Sequence, residues 1–279
     1  MSRVKRLEAI VTPRLRTFVR AMCAAWFSLA GPLHAQDLAG SAPAGDPDLF
    51  ALLEHALPAR ERGLAAAAAT TRWWGLRELE TRAVALGGSA GAVRIATGLS
   101  QTGAPELGWT TLALAAGGVT RGGGAAVRVV TRHDRDQPWS AARALEPRSG
   151  LVVGAGAWLE PAPSVRVWAS APQMRARGQP PPLDRTLELG VRAGGATAAW
   201  CTLRAPRAND DGERSLGLVL ALAPFEAWAE VRDGPLRGAA GLRARAGRLR
   251  VGARADAHPV LGETLRVSLE WCPAAAVAP

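Results

Sequence analysis

Between residues 63 and 271 the apolar side chains recur at every second position, and no other feature restricts the fold as much. A period of two puts alternate residues on opposite sides of an extended chain, which is the pattern of strands with one apolar and one polar face. Leu187, Leu189, Val191 and Ala193 share a side against Glu188, Gly190 and Arg192. Leu249, Val251, Ala253 and Ala255 oppose Arg250, Gly252, Arg254 and Asp256, and Leu265, Val267, Leu269 and Trp271 oppose Arg266, Ser268 and Glu270. Each such segment approaches the ~9–11 residues of a tilted strand crossing a membrane.

Alternation alone suits a soluble sandwich as well as a membrane barrel. The connections discriminate. Tight joins at Gly87-Gly88-Ser89, Pro161-Ala162-Pro163, Gly194-Gly195, Pro224 and Gly247 alternate with longer ones at 100–107, 133–150, 171–186, 205–214, 232–237 and 256–264. That rhythm predicts an all-β, antiparallel up-and-down transmembrane β-barrel, whereas Greek-key sandwiches mix their connection lengths. Strands counted from about Glu78 come to thirteen, and residues 64–73 supply a fourteenth that returns both chain ends to one side. A barrel of twelve strands with 64–73 folded inside is the alternative.

Ahead of the strands, residues 1–35 read as a cleaved signal peptide. Six basic residues (Arg3, Lys5, Arg6, Arg14, Arg16, Arg20) precede the apolar Ala21–Leu33, and Leu33-His34-Ala35 ends in a small residue. The apolar stretch is too short for the ~20 residues of a spanning helix. Residues 36–62 form a lead-in with one short helix, signalled by Asp46-Pro47-Asp48 and by Leu49, Phe50, Leu52, Leu53 and Leu57 at helical spacing. Its two readings are a plug or cover for the barrel and a packing helix at one end. The barrel is expected over 63–271, with a tail at 272–279. An exported chain of this kind is expected in the bacterial outer membrane, with outer-membrane lipid and the barrel-assembly machinery as partners.

If the aliphatic rows meet lipid, the opposite rows enclose a lumen. The expected lining is Arg94, Arg128, Arg166, Glu188, Arg192, Glu226, Glu230, Arg243, Arg245, Arg250, Arg254, Asp256, Arg266 and Glu270, with Trp168, Trp200 and Trp228 among them. Basic side chains in a pore favour anions. The competing reading pairs these charges across strands so that they fill the interior. Tryptophans on that side predict a partly occluded lumen in which arginines stack on indoles. Tyr is absent, so Trp must supply any interfacial belt; Trp109 and Trp271, near strand ends, fit that place, while Trp73, Trp74, Trp139 and Trp158 have no assigned facing.

Other chemistries have little footing. After the leader there is no lysine and no dense basic run, which argues against nucleic acid. His55, His133 and His258 lack partners at metal-ligand spacing, so no metal or cofactor is expected. Asp134 and Asp136, and the run Asp210-Asp211-Gly212-Glu213, are read as solvated loop acids that match no calcium-loop spacing. A lipid-cleaving barrel needs a serine and a histidine on neighbouring strands, and with no histidine expected inside a strand no enzyme is predicted. Cys201 and Cys272 are expected to stay unbridged.

The last strand, from Gly262 through Leu265, Val267 and Leu269 to the aromatic Trp271, resembles the sorting signal of bacterial outer-membrane barrels. The order of leader, short helix, Ala/Gly-rich entry and about fourteen strands also resembles the long-chain fatty-acid transporter family and the related barrels of type IX secretion. Trp73-Trp74-Gly75-Leu76 stands where that family has an Asn-Pro-Ala turn. The expected role is passage or binding of a small amphipathic or anionic solute. A non-conducting structural or assembly barrel that binds a partner through its loops, and a soluble periplasmic β-sandwich binding module, are the alternatives.

Overall fold

The computed structural model describes residues 48–59, 63–76, 79–103, 107–136, 149–178, 186–206, 212–233 and 236–272. The expected signal peptide, most of the lead-in, Trp139 and the tail beyond Cys272 lie outside these residues. Fourteen strands follow in chain order: β1 (Ala65–Arg72), β2 (Glu80–Ala90), β3 (Val93–Gly103), β4 (Leu107–Val119), β5 (Gly123–Asp136), β6 (Ser149–Ala162) and β7 (Val165–Gly178) form one half. The other half is β8 (Thr186–Gly194), β9 (Thr197–Pro206), β10 (Glu213–Leu222), β11 (Phe225–Arg232), β12 (Arg237–Ala246), β13 (Leu249–His258) and β14 (Gly262–Trp271).

Each strand pairs antiparallel with its sequence neighbours, and β1 pairs with β14, Ala66 opposite Trp271 and Arg72 opposite Leu265. The sheet is therefore a closed barrel of fourteen strands. Closure leaves no edge with unpaired backbone groups. Alanine is a poor strand former, yet the stretch Ala65–Ala69 becomes β1 because both of its edges find a ladder.

Burial follows the period of two. On β14, Thr264, Arg266, Ser268 and Glu270 are buried, while Leu265, Val267 and Leu269 are 43–52% exposed. Leu216, Leu218 and Leu220 on β10 alternate in the same way with buried Ser215 and Val219. In a sandwich the aliphatic rows would be the buried ones, so the architecture is a closed barrel and not two stacked sheets.

Three details differ from expectation. Gly87-Gly88-Ser89 lies inside β2, and the turn comes at Gly91-Ala92, because glycine there serves space rather than bending. Strands β4 to β7 reach 13–14 residues, so one side of the wall stands taller than the rest. Finally, β5 runs on to Asp136 and β13 to His258, which puts two histidines expected in loops into strands.

A single described α-helix, α1 (Leu49–His55), precedes the barrel. Asp48 caps it by accepting a hydrogen bond from the Ala51 N–H at 2.7 Å, and Ala56 ends it in the left-handed conformation. The helix touches β1 through β7 and is buried against their inward faces, so it lies within the barrel.

Candidate functional site within the lumen

The wall facing α1 is made of the smallest residues. Ala67, Ala85, Ala96, Ala115 and Ala126 are buried there with Leu49, Phe50, Leu52 and Leu53. Glycines complete the recess. A Cβ on Gly87 would fall 2.5 Å from Leu49 Cδ1, and one on Gly98 would fall 2.6 Å from Leu53 Cδ1. At Gly156 it would overlap the His55 carbonyl oxygen and lie 2.9 Å from that of Ala56. The inward faces of β2, β3 and β6 are thus shaped around α1, which explains much of the alanine and glycine in this half of the chain.

Side chains of the wall also hold the segment in place. A helix end leaves backbone carbonyls without intrahelical donors. Here Arg128 donates to Leu53 O at 2.8 Å, Ser170 to His55 O at 2.6 Å, Trp158 Nε1 to Pro58 O at 2.9 Å and Arg94 to Ala59 O at 2.9 Å. Two of the expected lumen arginines, Arg94 and Arg128, therefore each give one donor to the helix segment and others to wall carbonyls, Gly91 O and Val93 O for Arg94 and Pro172 O for Arg128.

Across the lumen the wall carries tryptophan. Trp158, Trp168, Trp200 and Trp228 are all 4% exposed or less, in one cluster capped by Leu57 from the segment after α1. Each ring is laid over a glycine of the neighbouring strand: Trp158 opposite Gly124, Trp168 opposite Gly190, Trp200 opposite Gly217 and Trp228 opposite Gly241. A Cβ on Gly190 would approach Trp168 Cη2 to 2.7 Å, and one on Gly241 would approach Trp228 Nε1 to 2.5 Å. An indole over a bare glycine shields ladder hydrogen bonds and fixes the register of the pair. Trp158 and Trp168 have acceptors for their N–H groups, Pro58 O and Glu188 Oε1. Trp200 and Trp228, packed edge to face at 6.3 Å, have none among the described residues.

Charged side chains flank this aromatic layer. Toward the rim of longer loops, ion pairs run from β8 to β13: Glu188–Arg204 at 2.9 Å, Arg204–Glu213 at 3.5 Å, Glu213–Arg237 at 2.7 Å, Arg232–Glu230 at 3.0 Å, Arg254–Glu230 at 3.7 Å and Arg254–Asp256 at 2.6 Å. Toward the rim of short turns stand Arg166–Glu160 at 2.7 Å, Arg243–Glu226 at 2.7 Å and Arg250–Glu270 at 2.8 Å. Arginines stack on the rings between them, Arg254 over Trp228 at 4.9 Å and Arg166 over Trp158 at 5.3 Å.

All of the residues named as lumen-lining sit on inward rows. Arg266 donates to Thr71 Oγ1 at 2.7 Å and Arg245 to Gly247 O at 3.2 Å, while Arg192 is half-buried opposite Trp200. Sequence reasoning missed Glu213, Arg232 and Arg237, because it placed them in loops, and Glu160, Arg204 and Trp158, whose facing becomes evident only from the pairing. Trp271 lies on the outward row at the short-turn rim, with Arg248 over its ring at 5.9 Å. Trp109 does not. It pairs with buried Thr102, shares the inward parity of Thr111, Ala113 and Ala115, and lies under Arg132 at 4.1 Å. It belongs to the lumen side and not to an interfacial belt. Trp73 and Trp74 form a 3-10 turn between β1 and β2, where Trp73 donates to Thr81 Oγ1 at 2.8 Å.

The strand position of His133 brings it opposite Ser149 on β6, both outward and exposed. No hydrogen bond joins the two side chains, so the pair lacks the activated contact a nucleophilic serine needs. No disulfide joins Cys201 and Cys272.

No family model matches this chain, and no curated protein matches it. Among solved structures the chain is similar to the outer membrane protein Omp33 of Acinetobacter baumannii, with 10% identity, TM-score 0.46, and coverage of 76% of this chain and 99% of that one. A triple mutant of Rhodopseudomonas blastica porin gives 10% identity and TM-score 0.41 over 75% of this chain and 99% of that one. The KdgM porin gives 4% identity and TM-score 0.41 over the same shares. These are likenesses of barrel outline, and they lend the fatty-acid transporter resemblance no support. What the lumen holds follows from this chain's own residues.

Proposed function

We propose that this chain is a bacterial outer-membrane barrel that binds small amphipathic or anionic solutes and passes them when α1 leaves its recess. The membrane part of this reading rests on the outward rows, where Val84, Leu218, Leu242 and Leu265 are 52–61% exposed around the barrel. A continuous aliphatic surface of that extent is unfavourable in water and suited to hydrocarbon. The last strand, with Leu265, Val267, Leu269 and Trp271 outward, supports recognition by an assembly machinery.

The observation that carries the transport reading is how α1 is held. Leu53 O takes one donor of Arg128, and Ala59 O, beyond the helix, takes Arg94 Nε. Departure of the segment therefore returns those two donors and the Trp158 N–H to the lumen, while the guanidiniums keep their wall bonds to Pro172 O, Gly91 O and Val93 O. Anion attraction would then belong to the open form, beside an aromatic layer suited to an apolar body. Planar-bilayer recordings of the full chain and of a variant lacking residues 48–58, which removes the acceptors of Arg128 and Trp158, test this. The expected result is low conductance that rises on deletion, with an anion preference lost in Arg128→Gln and reduced by Arg250→Glu and Arg254→Glu. No conductance from either protein would remove the reading.

A second reading, the non-conducting structural barrel, is favoured by the β8–β13 network. There each arginine already faces a carboxylate, which fills the interior instead of lining a path.

A further inference from the structure

We propose that Arg175 and Arg177, on the outward face of β7 at the long-loop rim, bind the phosphate of an anionic lipid headgroup in the outer leaflet. The inference rests on the outer-membrane reading above and concerns the outside of the barrel, not the lumen.

Both arginines are exposed, and among the described residues neither has a hydrogen-bond or ion-pair partner. Their cross-strand neighbours are lipid-facing: Arg175 is opposite Val153 and Arg177 opposite Leu151, with exposed Met174 beside them. Val153 and Leu151 stand about nine and eleven residues up β6 from Ala162, the length at which a tilted strand emerges from hydrocarbon. The two guanidiniums thus lie where the apolar band ends and headgroups begin. Residues two apart on one face of a strand are about 7 Å from each other. Two long side chains from that separation can converge on one phosphate, which a guanidinium binds through paired N–H donors.

The surroundings favour an anion. Among the described residues the outward faces of β5 to β8 carry no acid, and the exposed polar side chains around the pair are the uncharged Ser149 on β6 and Thr131 on β5, with His133 beyond. Three other outward arginines of this rim have carboxylates beside them: Arg72 and Arg82 share Glu80 at 3.9 and 2.8 Å, and Arg214 has Asp233 at 3.9 Å. A two-residue irregularity in the β6–β7 register, between Val153 and Ala155, lengthens β7 and carries the pair above the last β7–β8 bond partners, Ser170 and Glu188. The basic pair therefore sits on the tall side of the wall, over an aliphatic surface, in the arrangement of an acidic lipid's head and chains.

The test uses the purified full chain in detergent, titrated with diphosphorylated lipid A and with its dephosphorylated form. Native mass spectrometry reads the bound lipid, and heat-modifiable gel mobility confirms the barrel. The expected result is binding of the diphosphorylated lipid at least about tenfold tighter than of the dephosphorylated one. The Arg175→Gln/Arg177→Gln variant loses that preference, Arg177→Gln alone loses part of it, and Arg121→Gln at the opposite rim keeps it. Equal binding of the two lipids, an undiminished preference in the double variant, or an equal loss in Arg121→Gln would each overturn the proposal. Recovery of the folded chain without detergent would instead refute the outer-membrane reading on which it rests.

Discussion

Replacing Gly156 by alanine adds one methyl group at the point where α1 and the wall meet most closely. The new Cβ would overlap the His55 carbonyl oxygen and stand 2.9 Å from that of Ala56. Both are backbone atoms at the end of the helix, so no side-chain rotation relieves the overlap. His55 O is also the acceptor of Ser170, so a shift of the segment strains that bond as well. Overpacking by a methyl group in a well-filled interior costs about 1–3 kcal/mol. With tenfold in equilibrium per 1.4 kcal/mol, the undocked fraction of α1 rises roughly 5- to 150-fold. Planar-bilayer recordings should show a matching gain in open probability, with the conductance of each opening equal to that of the variant lacking residues 48–58. Two comparisons isolate the cause. Gly87→Ala meets only the flexible tip of Leu49 and should change little, and Gly118→Ala meets nothing within 4 Å and should change nothing. Heat-modifiable mobility should be intact in all three. If Gly156→Ala records like the parent while the deletion conducts, then α1 does not block the lumen by its fit at Gly156, and the reasoning fails.

Glu230→Gln removes the nearest carboxylate from buried Arg232 and one of two from Arg254, which keeps Asp256; the temperature of heat modification should fall, and by more than for Glu270→Gln, which removes a single partner from Arg250. Gly217→Ala drives a methyl group into the Trp200 ring, 2.6 Å from Cη2, and should lower the same temperature, whereas Gly195→Ala in an open turn should not lower it through contact. Leu218→Arg places a charge on the outward face at mid-strand, at a cost of about 2–4 kcal/mol if that face meets the bilayer centre; folding yield into lipid vesicles measures the loss, and Leu222→Arg near the rim should be milder.

Much of the barrel was legible because lipid and lumen impose opposite polarity on alternate residues, and that contrast is written along each strand. Leu265, Val267 and Leu269 could be assigned to one side and Arg266 and Glu270 to the other from order alone. The run Asp46-Pro47-Asp48 announces α1, but in that order Asp46 reads as the cap and Asp48 as an early acid, whereas the structure gives the cap to Asp48. The recess did not announce itself: Ala67 and Ala68 are identical in sequence, and only the presence of α1 makes the inward one a fitted surface. Gly87 reads as a turn residue in sequence because glycine signals bends and close contacts alike. The pairing of each tryptophan with a glycine depends on cross-strand register, which no single strand encodes. Glu213, Arg232 and Arg237 were hidden because charge at a segment end resembles a loop. Trp109 misled for a related reason: proximity to a strand end suggests an interface, but parity with Thr111 and Ala113 decides the facing.

Nitroxide accessibility along β10 bears most directly on the claim that the leucine row meets hydrocarbon while the alternate row faces an enclosed interior. Single cysteines at Leu216, Ser215, Leu218, Val219 and Leu220, in a background with Cys201 and Cys272 replaced by serine, would be labelled in lipid vesicles and probed with oxygen and with a water-soluble nickel chelate. Labels at Leu216, Leu218 and Leu220 should favour oxygen and exclude nickel, and those at Ser215 and Val219 should not. A uniform profile, or one in which the leucine positions are the nickel-accessible or solvent-shielded set, would contradict the orientation of the barrel wall.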